Sequence, residues 1–138
     1  FESTVSTIIA IMLTVIISFV GVSSAGIGTK ANPMQDSRID VVKSQQIFKD
    51  YTVTYGECLD NKCTDPEWTI FSSSDKKKVV EFNGNVVYNN MNSSLKIQFV
   101  YNDSDDYWAL SYMALNGTAM DSNGAALLLN YLCSDYFN

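Results

Sequence analysis

The sequence predicts an α+β fold. A long N-terminal helix, hydrophobic and then amphipathic and interrupted around residues 21–33, packs on an antiparallel β-sheet, and a short C-terminal helix closes the chain. Three observations predict this. Residues 3–29 carry no charged side chain. Apolar residues then recur at helical spacing as far as Tyr55. From Trp68 onward the period changes from 3.6 to 2. The expected division is an apolar helix and loosened segment over 1–32 and a globular domain over 33–138.

The first element is the run over residues 5–22, VSTIIAIMLTVIISFVGV. A helix of that length is just enough to cross a hydrocarbon core. A secretory signal peptide, a membrane anchor, and a helix that waits in the membrane and later packs on copies of itself are the three uses open to it. A signal peptide starts with Met and a positive region, whereas this chain starts FEST, so a processed form is expected. Gly21, Gly26, Gly28 and Pro33 come next. Glycine lowers helix stability and Pro33 disfavours helix at Asn32. The helix is therefore expected to end near Val22, loosen to about Asn32, and restart near Pro33, since proline suits a first turn.

In the restarted helix, MQDSRIDVVKSQQIFKDYTVTYG, Met34, Val41, Phe48 and Tyr55 recur every seven residues. Val42, Ile47 and Tyr51 widen the stripe into one face for a sheet. EWTIF, KVVEF, NVVYN, LKIQFVY and YWALSYMAL read as strands. Asn83-Gly84 between VVEF and NVVY predicts a two-residue hairpin turn. Leu95, Ile97, Phe99 and Tyr101 are placed on one sheet face, and Trp108, Leu110 and Tyr112 on another. DSNGAALLLNYLCSDYFN reads as a helix capped by Asp121 or Ser122, with Leu127, Leu128, Tyr131 and Leu132 inward.

Composition narrows the chemistry. Net charge is −6, and an acidic chain without a basic face makes a poor nucleic-acid binder. Lys76-Lys77-Lys78, the one basic run, reads as a solvated turn. There is no histidine, which removes Ser-His and Cys-His catalysis and the commonest metal ligand. Gly26 and Gly28 in AGIGTK lack the Gly-Lys step of a phosphate loop. No catalytic, cofactor or metal site is expected, and the chain is read as a non-enzyme. Asp103, Asp105 and Asp106 form an acidic loop whose spacing does not complete a calcium loop. Asn92, Asn102 and Asn116 begin N-x-Ser/Thr sequons. The cysteines are Cys58, Cys63 and Cys133. A disulfide from Cys133 to Cys58 or Cys63 is expected, with a Cys58–Cys63 clip as the alternative.

The opening FESTVSTIIAIMLTVIISFV, with a Gly- and Pro-broken continuation and a strand-rich remainder, resembles a type IV pilin. The resemblance implies a structural subunit of an extracellular filament, stored in the membrane and then assembled with copies of itself through the apolar helix. Phe1 would be the processed and N-methylated residue. Glu2, Ile8, Ile9, Met12, Leu13, Ile16 and Phe19 would carry assembly. A prepilin peptidase and the pilus assembly machinery would be partners, and the cell surface the destination. The family usually has Glu at position five. Here that residue is Val5, and Glu2 is the acidic residue left to pair with an amino terminus. A minor or tip pilin, or a monomeric membrane-anchored binding ectodomain, is the alternative.

Overall fold

A computed structural model describes residues 36–104 and 106–137. The chain runs α1 (Ser37–Lys43), β1 (Gln46–Phe48), β2 (Tyr51–Thr54), α2 (Tyr55–Lys62), β3 (Thr64–Ser72), β4 (Lys78–Tyr88), β5 (Met91–Asn102), β6 (Tyr107–Leu115), β7 (Thr118–Ala119) and α3 (Ser122–Leu132). A single 3₁₀ turn, Ser134–Tyr136, follows. β3 to β7 form one antiparallel sheet in sequential order, and β1 and β2 pair as a separate hairpin.

This overturns the predicted fold class. The described region is mostly strand, with seven antiparallel strands and three short helices, and no long helix packs on its sheet. The apolar helix over 5–22, the loosened stretch to Asn32 and the restart at Pro33 all fall outside the described residues. The expected amphipathic helix reaches the described region only as α1. Ser44 ends it, donating its backbone N–H to the Asp40 and Val41 carbonyls. Of the heptad positions, Val41 is half exposed, Phe48 lies in β1, and Tyr55 opens a new helix. Two forces defeat the helical period. Ile47-Phe48 and Tyr51–Thr54 are β-branched or aromatic and pair across a Lys49-Asp50 turn, with Phe48 opposite Tyr51. Thr54 then starts α2 with a capping box. Its hydroxyl accepts from the Glu57 N–H at 3.2 Å, and the Glu57 carboxylate accepts from the Thr54 N–H at 3.2 Å.

β4 corrects the hairpin position. Asn83 and Gly84 sit in mid-strand opposite Lys96 and Leu95. The turn is at Asn89 and Asn90, with φ +53° and +62°. Two successive positive φ values define the type I′ geometry, which asparagine tolerates. Gly84 serves a different purpose. A Cβ there would stand 2.8 Å from Phe82 Cζ and 3.1 Å from Cys63 Cβ, so the strand needs glycine to let α2 end against it. Asn116-Gly117 does form a turn, between β6 and β7, with both φ positive.

The core lies on one face of the large sheet. Trp68, Ile70, Val80, Phe82, Ile97, Phe99 and Leu110 meet Ile39 and Val42 of α1, Leu59 of α2 and Leu128, Leu129 and Leu132 of α3. Leu95, Ile97 and Phe99 share that face as expected from alternation, and Tyr101 packs at its margin. Tyr112 does not stay with Trp108 and Leu110. Gln98 pairs with Tyr112 while Phe99 pairs with Leu110, leaving Ser111 as a bulge. The bulge turns Tyr112 to the other face and brings Met113 into the core.

Candidate functional site

The residues expected to carry processing and assembly, Phe1, Glu2, Ile8, Ile9, Met12, Leu13, Ile16 and Phe19, lie outside the described residues. So do Gly21, Gly26, Gly28 and Pro33. Among the described residues, no helix is long and apolar enough to cross a membrane. The described residues do place the three cysteines and the elements around them.

The α2 capping box aims Cys58 inward, where it is fully buried beside Leu59. α3 begins at Asp121, whose carboxylate accepts from the Gly124 N–H at 2.7 Å. The helix delivers Cys133 at its C-cap, with the Cys133 N–H donated to the Leu129 carbonyl. The result is a buried thiol pair, with Cys58 and Cys133 sulfurs 2.9 Å apart. All three cysteines are unbridged thiols. Contact with Cys58 and burial together push the Cys133 thiol well above the usual range. Cys63 stands apart as the C-cap of α2, its Cβ facing Gly84. Burial pushes its pKa up to about 12. The geometry therefore brings Cys133 to Cys58 and gives Cys63 to a close helix–strand contact.

A polar and aromatic clamp surrounds the thiol pair. Lys62 forms an ion pair with Asp135. Asn61 donates from Nδ2 to the Tyr136 hydroxyl at 3.1 Å, and that hydroxyl donates to the Glu57 carbonyl at 3.4 Å. Phe137 packs edge-on to Phe48 at 5.2 Å and tilted on Tyr51 at 4.9 Å. Residues 133–137 are thus fastened to α2 and to the β1–β2 hairpin. The sequence carries one charge of each sign close after the two paired cysteines, Lys62 after Cys58 and Asp135 after Cys133.

Beside the clamp lies an open groove of about 730 Å³, bounded by Lys62, Thr64, Val87, Asn92, Tyr131 and Asp135. Val87 and Tyr131, which line it, are each about half exposed, as is Leu127 on α3, and Met91 is more exposed still. Leu127 and Tyr131 were expected to face inward. They lie one helical turn apart on the outer side of α3, while Leu128 and Leu132 take the core. Tyr131 instead packs on Tyr88 at 5.1 Å and donates its hydroxyl to the Val87 carbonyl at 3.0 Å.

The acidic loop is a hairpin connection between β5 and β6. Asp106 accepts from the Tyr101 hydroxyl at 2.5 Å, and Ser104 donates its N–H to the Asn102 side chain. That bond to Asp106 raises the Tyr101 phenol above its ordinary range. Asp105 is outside the described residues, and among the described ones no group of three acidic or cysteine side chains has a metal-holding arrangement. Lys76 and Lys77 lie in the β3–β4 turn, and Lys78 opens β4 with its ammonium donating to the Ser72 hydroxyl. Of the sequon asparagines, Asn92 is exposed at the start of β5, Asn102 is exposed at its end, and Asn116 uses its side chain to accept from the Ser94 N–H.

No protein-family model matches the chain, and neither a curated protein nor a solved structure is significantly similar to it.

Proposed function

We propose that the chain is a structural subunit of an extracellular filament of the type IV pilin class. The observation that carries this reading is the uncharged stretch 3–29 directly ahead of a strand-rich domain. Such a stretch is stable in a membrane or against other apolar surfaces, and costly in water. In this reading copies of the chain meet through Ile8, Ile9, Met12, Leu13, Ile16 and Phe19. Phe1 and Glu2 form the processed, docking end. A prepilin peptidase and an assembly machinery act on the chain as it passes from membrane to cell surface. The domain needs no catalytic site for this work.

One observation favours a second reading. Val5 replaces the family's usual glutamate, which suits a minor or tip pilin, or an anchored ectodomain that never polymerises. Electron microscopy of cell-surface material decides between them. Fibres built of this chain, lost in Ile9→Lys or Leu13→Lys while the strand-rich domain stays folded by circular dichroism, support the first reading. Wild-type fibre yield from either variant refutes it. An N-methyl group on Phe1, read by mass spectrometry, supports processing by a prepilin peptidase.

A further inference from the structure

The large sheet has a second face, opposite the core. The strand register sets four polar residues in a block near its middle. Glu81 of β4 lies opposite Gln98 of β5, and Asn83 lies opposite Lys96. Alternation keeps all four on the face away from Phe82 and Ile97 of the core. Depth differs across the block. Glu81 is 7% exposed and Gln98 1%, while Asn83 and Lys96 are half-buried and line one open pocket. Val79, the next residue of β4 on this face, is fully buried. Asn83 donates its Nδ2 to Glu81 Oε1 at 2.7 Å, and Gln98 donates its Nε2 to Glu81 Oε2 at 2.9 Å. Both of these donors are neutral. Lys96 makes no ion pair among the described residues, although Glu67 lies across Asn83 on β3.

We propose that Asn83 and Lys96 join in an intramolecular isopeptide bond, formed by the chain itself with Glu81 as its acid and base. Such a bond needs a primary amine, a carboxamide and a carboxyl group that moves protons between them, and the block supplies one of each. Proximity comes from the register. Directly opposed residues of an antiparallel pair hold their Cβ atoms about 5 Å apart, a gap that a lysine stem spans. Glu81 is diagonal to Lys96, a position within reach of long side chains, and it already touches the nitrogen that must leave. The Lys96 ammonium passes one proton to Glu81, which turns two charges into none in a site largely withdrawn from water. The neutral amine attacks Asn83 Cγ. Glu81 hands its proton to Nδ2, then carries a second one there from the attacking nitrogen. The Cγ–Nδ2 bond breaks, an ammonium ion leaves through the open pocket, and Lys96 Nζ stays bonded to Asn83 Cγ as an amide. Nothing is oxidised or reduced, and no co-reactant is needed. Adjacent strands hold amine and amide together and so supply the effective concentration that free lysine and asparagine lack. The inference goes beyond the filament reading and does not depend on it.

The test is the intact mass of the full-length chain, purified in detergent and held at neutral pH. The expected mass is one ammonia below that of the sequence. Tryptic mapping locates the loss. Trypsin does not cut after an acylated lysine, and no Lys or Arg follows Lys96, so the expected peptide covers residues 79–138. Chymotrypsin cutting after Tyr88 should leave the two halves joined. Lys96→Arg and Glu81→Gln should each regain the full mass of their own sequence, and Lys96→Arg should keep its strand content by circular dichroism. Full mass in the parent chain, with cleavage after Lys96, overturns the proposal. So does loss of ammonia with cleavage after Lys96 intact, because that marks Asn83 closing on the Gly84 backbone nitrogen as a succinimide. A link of equal yield in Glu81→Gln overturns the role given to Glu81. Absence of fibres by microscopy would sink the filament reading and leave this result standing.

Discussion

The Cys58 and Cys133 sulfurs approach to 2.9 Å in a site that excludes water from both. Nothing has to move far for them to bond. Exchange with glutathione disulfide would join the two sulfurs and pass their two protons and two electrons to the glutathione, which leaves as two thiols. Non-reducing peptide mapping should then find a Cys58–Cys133 peptide and Cys63 still alkylatable after unfolding. Closing a loop of that length is worth about 4 kcal/mol in the chain-entropy model, so the oxidised chain should unfold at higher urea. A Cys58–Cys63 peptide as the main product would contradict this pairing.

Gly84→Ala should destabilise the domain although it adds one methyl group. The new Cβ meets the Phe82 ring and Cys63 Cβ, and both of those are buried. Overpacking of this kind costs about 1–3 kcal/mol. Urea denaturation of the two chains measures it, and an unchanged midpoint would mean that α2 can move away from β4.

The β4–β5 turn makes a two-sided prediction. Asn89 and Asn90 both have positive φ, so Asn90→Gly should raise stability and Asn90→Val should lower it by about 1–2 kcal/mol. Equal midpoints for the two variants would show that the turn does not hold this geometry in solution.

Thr54→Ala removes half of the capping box that opens α2. The expected loss is about 1 kcal/mol. Hydrogen exchange should locate it, because the Glu57 N–H loses its acceptor and should exchange faster while β5 does not.

Alkaline pH should unfold the domain before its buried acids ionise. Burial raises the Cys63 thiol from 9.0 to about 12 and drives the Tyr55 phenol up from 10.0. Both groups stay neutral in the folded chain while the unfolded chain begins to lose its protons near pH 9 to 10. The stability they contribute is fully present below pH 9 and falls as pH rises toward 12. Urea midpoints between pH 7 and 11 should be flat at first and then decline. Tyrosinate absorbance from Tyr55 should appear only with unfolding. A midpoint that rises above pH 9 would reverse the assigned sign.

The strands were legible because their cause is local. EWTIF, KVVEF and LKIQFVY are dense in β-branched and aromatic residues, and each lies in a strand. The C-terminal helix was legible for a similar reason, with Asp121 at its cap. Errors arose where one pattern served two purposes. Asn83-Gly84 has the composition of a turn, yet its glycine is there to admit Cys63. Val41, Phe48 and Tyr55 keep a helical period by coincidence, and the capping at Ser44 and Thr54 overrides it. The turn of Tyr112 to the second face depends on the Ser111 bulge, which only strand pairing sets. The Cys58–Cys133 contact was one of several pairings the spacing allowed. Choosing between them needed the depth at which α2 and α3 meet.

The distance between those two cysteines along the chain, 75 residues, has a consequence for biogenesis. On the ribosome Cys58 emerges long before Cys133 exists. Cys63 follows it within five residues and is the first sulfur it can find. In an oxidising compartment an early Cys58–Cys63 loop would form during synthesis, and a thiol-exchange catalyst would have to open it before α3 could dock. Yield in such a compartment should then depend on that catalyst, and Cys63→Ser should relieve the dependence.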